Sequence, residues 1–299
     1  MISPMPVHPG AVPLALITLP ASFVNGALGY GFSSITLPVA LLFYTNRALN
    51  PAMVLIEVLV NGHTLFVNRG SVPKVWRKTL PILLGLLPGI WAGSCLLSTL
   101  APERLKLFTF AVLLPLALLQ AGGIRRPLRS EAAVAFPFGA GVGLLYSVTT
   151  LSGPPLALML NNQGYVKEEF RAALGLIRLT ESVATAVAYC FLGLYTVGSG
   201  RIMGAMGPSV IVGIPIGAYA IRRLEPETFR RICMSFDAWV VGYGLAKLLL
   251  QLHLAGALVA YGVFAGVILI DAWLLTLFFA RRGKTPDAVP LSREGTPAS

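Results

Sequence analysis

Short polar stretches divide this chain of 299 residues into nine apolar segments, most of them about 20 residues long. A helix of that length crosses the hydrocarbon core of a bilayer. The composition agrees, because 56% of the residues are hydrophobic, only 12% are charged and the mean hydropathy is +0.76. We therefore predict an all-α polytopic membrane protein, with apolar segments at residues 11–44, 51–67, 80–100, 107–122, 132–160, 172–196, 203–221, 232–251 and 255–280.

Two of these segments have lengths that fit neither one membrane crossing nor two. Residues 11–44 would form a helix of roughly 51 Å, against a hydrocarbon core of about 30 Å. Residues 132–160 present the same problem. Each segment also contains a cluster of hydroxyl residues, glycine and proline, at 30–38 and at 146–155. A helix that enters the membrane, breaks and returns fits both segments.

The two clusters resemble each other. Each runs eight residues from a tyrosine to a proline, with paired hydroxyl residues between them, and the second copy starts 116 positions after the first. We predict that the two breaks meet inside the bilayer and form the binding site.

The distribution of basic residues predicts the topology. Lysine and arginine are enriched in cytoplasmic loops, and the chain places most of its 23 basic residues in four stretches. Between the second and third stretches, segments 172–196 and 203–221 cross once each, so 132–160 must begin and end in the cytoplasm. It is then a re-entrant hairpin, whereas 11–44 dips in from outside, the N-terminus is outside and the C-terminus is cytoplasmic. The basic stretches are 69–78, 125–129, 222–231 and 281–284.

A weak repeat connects the two halves of the chain. Residues 89–93 match 213–217, and 100–103 match 224–227, both at an offset of 124. Each half has one hairpin and three crossings, an odd number, so the halves are predicted to be inverted, as in many secondary transporters. The GxxxG-like pairs, Gly89 with Gly93 and Gly213 with Gly217, predict close helix packing.

These boundaries define the predicted organisation. Repeat 1 covers residues 11–125 and repeat 2 covers 131–251. A short extracytoplasmic tail, an extra span and a disordered cytoplasmic tail complete the chain, at 1–10, 255–280 and 281–299.

At this point the chain resembles the sulfite exporter TauE/SafE family, also called the toluenesulfonate-uptake permease superfamily. The resemblance covers roughly residues 12–280 and is carried by Gly26-Ala27-Leu28-Gly29-Tyr30-Gly31-Phe32 with Pro38, and by Gly139, Gly141 and Gly143 with Ser152-Gly153-Pro154-Pro155. It implies a transporter in the cell (inner) membrane, with sulfite, thiosulfate or a two- or three-carbon organosulfonate as substrate. Export with protons as coupling ion is the expected mode, by alternating access of the two repeats.

Such an anion spreads its charge over several oxygens, so a low-dielectric site needs converging hydrogen-bond donors. Helix N-termini beyond a break offer free N–H groups, hydroxyl side chains add donors, and glycine lets an anion approach the backbone. The alternative is that these hydroxyls only satisfy backbone groups freed by glycine and proline. The substrate-binding residues predicted at the breaks are Tyr30, Ser33, Ser34, Tyr146, Thr149, Thr150, Ser152 and Gly153.

Charged residues within the spans form a second set of candidates. Arg178 suits an oxyanion, and it lies three residues before Glu181, so a purely structural pair between them is the alternative. Glu57 and Asn61 share one helical face with Thr64. We predict that Arg178 and Asn61 bind substrate and that Glu57, His63 or Glu181 carries a coupling proton. Asp237 and Asp271 are less informative, and Asp271 is expected to make a helix–helix hydrogen bond.

Other functions find less support. The net charge of +11 reflects basic cytoplasmic loops, and no nucleic-acid partner is predicted. The three dispersed cysteines suggest neither a disulfide framework nor a metal site, and no cofactor is expected. An anion channel and an intramembrane enzyme using Glu57, His63 and Asp237 remain alternatives, although no nucleophile elbow or HExxH motif is present. Monomer and homodimer are both open.

Overall fold

The computed structural model describes residues 11–29, 31–121, 131–161, 165, 167–220, 223 and 225–282. Within these ranges the protein is helical, without any strand, as the sequence predicted. The predicted tail at 1–10, the residue Tyr30 and the tail beyond Arg282 lie outside the described residues.

Eleven α-helices and one 3₁₀ turn make up the described part of the chain. The turn, at Arg69–Ser71, joins the third and fourth helices. In chain order the helices are α1 (Ala11–Leu28), α2 (Phe32–Ala40), α3 (Asn46–Val67), α4 (Val72–Thr99), α5 (Pro102–Ala121), α6 (Glu131–Thr149), α7 (Gly153–Asn161), α8 (Lys167–Phe191), α9 (Val197–Ala220), α10 (Pro226–Gln251) and α11 (Ala257–Arg282).

Six helical stretches among the described residues are long and apolar enough to cross a membrane. Two shorter apolar helices, at Val12–Leu28 and Val134–Thr149, lie in the two segments of unusual length. The chain is thus a polytopic membrane protein by the length and composition of its helices. The six stretches are Asn46–Val67, Arg69–Thr99, Glu168–Phe191, Val197–Ala220, Arg231–Gln251 and Ala257–Ala280.

Both segments of unusual length are broken helices. The first break separates α1 from α2, where Gly29 and Gly31 adopt φ angles of 81° and 111°, a region that glycine enters without steric cost. The second break separates α6 from α7, and there Thr150 takes a φ of 54°, which is strained for a β-branched residue. Each break is followed by a short helix of nine residues.

Glycines allow the backbones of the most extensively packed helices to approach each other closely. Helix α1 packs along α9, and α4 packs along α6. A Cβ at Gly217 would collide with the carbonyl oxygen of Phe23, and one at Gly89 would collide with the carbonyl oxygen of Ala140. A Cβ at Gly93 or Gly213 would also collide with the facing helix, so the close packing predicted for the four GxxxG-like glycines is confirmed.

Two large hydrophobic cores contain most of the buried apolar side chains. One core is built mainly from α1, α2, α3, α5, α9 and α10, and the other from α4, α6, α7 and α8. Helices α3 and α8 pack against each other. This arrangement places the polar faces of α3 and α8 beside both breaks.

The last helix, α11, is peripheral, because only 11% of its apolar stretch is buried within the protein. Its attachment to α10 combines apolar contacts, such as the rings of Tyr243 and Phe264, with polar ones. Asp271 forms an ion pair of 3.0 Å with Arg231 and accepts hydrogen bonds from Ser235 and Trp239. The helix–helix bond predicted for Asp271 is therefore present.

Candidate functional site

Donors from three different helices converge on the carboxylate of Glu57, in the middle of α3. Tyr146 donates its hydroxyl to Oε2 at 2.6 Å, and Arg178 donates from Nη2 to Oε1 at 3.1 Å. Ser33 also donates its hydroxyl to Oε1. The Glu57 side chain is 0% exposed, so these donors replace water completely.

The breaks position two of the three donors. Ser33 is the second residue of α2, the helix that begins directly after the left-handed Gly31. Tyr146 lies in the last turn of α6, before the break at Thr150. Arg178 comes from the middle of α8, which packs against α3. One hydroxyl from each broken helix therefore meets a guanidinium at a single buried carboxylate.

A second carboxylate, Glu181, lies beside the same break. It accepts a hydrogen bond of 2.5 Å from Ser152, which precedes α7. Its other oxygen, Oε1, is buried and has no partner among the described residues. Asn61 donates to the backbone carbonyl of Arg178 at 3.3 Å and ties α3 to α8 at this level.

The ion partner of Arg178 is Glu57 and not Glu181, the neighbour that the sequence offered. The Glu57 and Arg178 side chains are 0% and 5% exposed, and Arg178 Nε has no hydrogen-bond partner in the described part of the chain. Two buried carboxylates thus share the neighbourhood of one guanidinium. Arg178 Nε is thus still available to a further anion, and the two carboxylates add negative charge, so the charge state of the site decides what it can bind.

The sequence matches a known protein family over most of its length. The sequence model of the family described as "Sulfite exporter TauE/SafE" matches residues 14–244, which is more than half of the chain. The chain belongs to the TauE/SafE family. The match ends before α11, and it contains both breaks and every residue of the buried cluster.

Family membership identifies the chain as a membrane transporter, and the family name refers to the export of sulfite. No functionally curated protein gives a significant match to the sequence. No solved structure does so either.

Neutral side chains that sequence reasoning missed hold the second break of this TauE/SafE protein in place. Asn50 donates to the carbonyl of Val148 at 2.6 Å, and Asn46 donates to the same oxygen at 3.3 Å. Tyr189 donates its hydroxyl to the carbonyl of Ser147. The signal was present for the asparagines, because Asn46 and Asn50 extend the polar face of α3 toward its N-terminus at helical spacing.

Several predicted binding residues serve the backbone at the break. Thr149 donates to the carbonyl of Leu145 at 2.7 Å and accepts from the N–H of Leu151 at 3.2 Å. Thr150 donates to the carbonyl of Thr149 at 2.7 Å. These two hydroxyls therefore satisfy freed backbone groups, which was the alternative interpretation.

The N-termini of the two short helices differ as anion sites. Gly153 begins α7 and is buried, but the next two residues, Pro154 and Pro155, have no N–H to donate. In α2 the first turn consists of Phe32, Ser33 and Ser34, all with N–H groups. The structure thus favours α2 over α7 as a source of backbone donors.

One predicted residue, His63, lies away from the cluster on Glu57. His63 is exposed on α3, and Tyr30 falls outside the described residues. Ser34 lines a cavity of about 20 Å³ between the short helices, α5 and α10, and Asp237 lines it too. Asp237 is 4% exposed, and its Oδ1 has no partner among the described residues. A cavity of this size holds about one water.

A metal site is absent from the described part of the chain, where no three His, Cys, Asp or Glu side chains cluster. The free cysteines Cys95, Cys190 and Cys233 lie on α4, α8 and α10. The chemistry available at the site is accordingly that of hydrogen-bond donors, one guanidinium and carboxylates.

Proposed function

We propose that this protein is a secondary transporter that exports small sulfur-containing oxyanions across the inner membrane. The substrate class is sulfite, thiosulfate or a two- or three-carbon organosulfonate. We place the substrate at the buried cluster of Ser33, Tyr146, Ser152 and Arg178. Family membership supports the general function, and the chemistry of the cluster supports the position.

The observation that carries the proposal is the convergence of donors from both broken helices on one point. Ser33 follows the first break, Tyr146 precedes the second, and Arg178 adds the charge. A planar guanidinium with flanking hydroxyls matches an anion whose charge is distributed over several oxygens. Because these donors are buried, a solute without acceptors for them would leave them unsatisfied, and the site therefore discriminates against uncharged solutes.

We propose further that the two halves of the chain are inverted repeats that rock around this site. The packing pattern supports this idea. If α1 corresponds to α6 and α4 to α9, the pairing of α1 with α9 becomes the pairing of α6 with α4, and both pairings occur. In that scheme the two broken helices are re-entrant hairpins from opposite sides, the N-terminus is outside and the C-terminus is cytoplasmic.

Protons are the proposed coupling ion. Glu57 and Glu181 are both fully buried next to Arg178, so a change in the charge of either carboxylate alters the affinity for an anion. His63 is exposed and outside the cluster, which makes it a weaker candidate than the sequence suggested.

The experiment is a binding screen on purified protein by titration calorimetry at about pH 6, with sulfite, thiosulfate, sulfoacetate, isethionate and sulfolactate. We expect saturable binding of at least one anion. Tyr146→Phe removes one charged-group hydrogen bond, worth about 1.5–3 kcal/mol, and should weaken binding roughly 10- to 100-fold. Tyr195→Phe is the matched control, because the Tyr195 hydroxyl contacts a backbone carbonyl outside the cluster.

Two outcomes would contradict the proposal. If no anion of the panel binds, the substrate class is wrong. If Tyr146→Phe, Ser33→Ala and Arg178→Gln all bind as tightly as the wild type, the site is elsewhere. Reconstitution into liposomes completes the test, since currents far above carrier rates would identify an anion channel instead.

A further inference from the structure

The cluster on Glu57 has a feature that an empty anion site would not have, because its donors are already occupied. Every group assigned above to substrate near Glu57 donates to this carboxylate: Ser33 and Arg178 to Oε1, and Tyr146 to Oε2. A carboxylate and a sulfonate offer the same kind of acceptor, an anionic oxygen. The protein thus supplies its own anion to its own site.

We propose that Glu57 is a tethered competitor of the substrate, which occupies the oxyanion site between transport cycles and leaves it on taking up a proton. The proposal rests on the proposed function, since it requires that the substrate uses the same donors. It goes further by assigning the coupling step to one carboxylate and by fixing the ratio of protons to anions.

Burial requires that something fill the site at all times. Tyr146 and Glu57 are 0% exposed, Ser33 is 3% exposed and Arg178 is 4% exposed. A buried guanidinium without an acceptor is costly, as is a buried hydroxyl without a partner. In the absence of substrate, the Glu57 carboxylate satisfies all three donors, and a vacant site is avoided.

Charge prevents the substrate and the ionised carboxylate from sharing the site. The ionisable groups that interact electrostatically with Glu57 from neighbouring helices are Arg178, Glu181 and Tyr189 on α8, and Tyr146 on α6. Arg178 is the one cation among them. A bound anion beside ionised Glu57 and Glu181 would place three negative charges around a single positive one in a dry environment, which is strongly unfavourable.

A proton on Glu57 removes this conflict. The protonated carboxyl loses its charge and becomes a donor itself, so it no longer competes for Arg178 and can donate to a neighbouring acceptor. The acceptor that we assign to this proton is Glu181 Oε1, because it is buried without a partner in the described part of the chain. The three donors are then free for the oxyanion, and the cluster keeps the net charge that it has with ionised Glu57 and no substrate.

The cycle follows from this exchange. The anion is bound only while Glu57 holds a proton, and release of the anion on the other side is followed by loss of that proton. The anion and the proton therefore move in the same direction, and a monovalent sulfonate is carried without net charge. The direction of net flux depends on the two gradients together.

The test uses isethionate as the probe, because a sulfonate stays singly charged between about pH 5.5 and pH 8. Titration calorimetry of the wild-type protein, in two buffers with different heats of ionisation, counts the protons taken up on binding. We expect about one proton per bound anion at the alkaline end, and an affinity that falls about tenfold per pH unit there. Binding without proton uptake would overturn the inference and leave the proposed function intact.

Glu57→Gln provides the second measurement, since glutamine keeps the shape of the side chain and carries no charge. We expect isethionate to bind this variant without proton uptake, independently of pH, and more tightly than it binds the wild type at about pH 8. Asp237→Asn is the matched control, because Asp237 is also a buried carboxyl but lies at the separate cavity. His63→Gln controls for the exposed imidazole on the same helix.

Each result has a defined meaning. Loss of proton uptake in Asp237→Asn or His63→Gln, with uptake retained in Glu57→Gln, would overturn the assignment to Glu57. If Glu57→Gln does not fold, the proton count of the wild type decides. If neither the wild type nor Glu57→Gln binds any anion of the panel at any pH, the proposed function fails, and the inference fails with it.

Discussion

The ion pair between Glu57 and Arg178 allows a quantitative prediction about stability. Its atoms are 3.1 Å apart, and the side chains are 0% and 5% exposed. Removing one partner of a buried pair leaves an uncompensated charge and typically costs about 3–5 kcal/mol. Arg178→Gln should therefore destabilise the protein by about that amount, and Glu181, the second buried carboxylate, makes the upper end of the range the better expectation.

The double variant Glu57→Gln/Arg178→Gln should recover most of this loss. It buries no charge of the pair, and its neutral amides lose only hydrogen bonds worth about 1–2 kcal/mol in total. We thus expect the double variant to be more stable than Arg178→Gln, with a coupling free energy of at least about 3 kcal/mol.

Thermal unfolding in detergent measures this cycle. With a shift of about 2–4 °C per kcal/mol, Arg178→Gln should unfold roughly 6–20 °C below the wild type, and the double variant within a few degrees of it. If the losses in the two single variants simply add up in the double variant, the pair is not a buried, desolvated unit. The proposal that Glu57 is a tethered competitor of the substrate would then lose its physical basis.

Three other predictions concern the fold. Thr150→Gly should change the free energy of unfolding by less than about 1 kcal/mol, because relief of the positive φ offsets the loss of the side chain. Thr149→Gly, at a helical position, should lower it by about 2 kcal/mol. Thermal unfolding in detergent measures both changes. Gly217→Val should prevent the close approach of α9 to the carbonyl of Phe23 and lower the unfolding temperature by more than Gly204→Val, where the added Cβ meets nothing. The topology can be tested with single cysteines introduced into a variant without native cysteines. Impermeant thiol reagents should label positions Gly70 and Arg223 from the cytoplasm, and positions Ala101, Thr196 and His253 from outside. Labelling of both groups from one side would refute the proposed topology.

Much of the architecture was predictable because the membrane restricts the choices. Segment length, compared with bilayer thickness, identified the two helices that had to be interrupted. The residue types within them then located the interruptions, since Gly29, Gly31 and the Thr149–Ser152 stretch are what a broken membrane helix requires. Close packing was visible as GxxxG-like spacing.

The partners within the site were harder to predict. Periodicity reports which residues share a face of one helix, so it offered Glu181, three residues from Arg178, as the ion partner. The observed partner, Glu57, is 121 residues away in the sequence and reaches Arg178 only because α3 packs against α8. The sequence contained both charged residues but no information on the contact that joins them.

The hydroxyl residues show the same limit in another form. Ser33, Ser34, Thr149, Thr150 and Ser152 have the same donor chemistry, and the sequence could not rank them. The structure divides them by what they contact: Ser33 and Ser152 donate to carboxylates, while Thr149 and Thr150 donate to carbonyls at the break. A residue next to a helix break must satisfy the backbone before it can serve a ligand.

Helices α3 and α8 carry two sets of polar side chains with different duties. Asn46, Asn50 and Tyr189 bind carbonyls at the second break and are neutral, so their bonds do not depend on the charge of the cluster. Glu57 lies C-terminal to the two asparagines on α3, and Arg178 lies N-terminal to Tyr189 on α8. These two side chains bind groups that a substrate could replace. Because the break is fixed by groups that carry no charge, a proton on Glu57 can rearrange the cluster without loosening the broken helix. The separation of a permanent anchor from an exchangeable site is what a carrier needs, since its site must open in each cycle while the helices that form it stay intact.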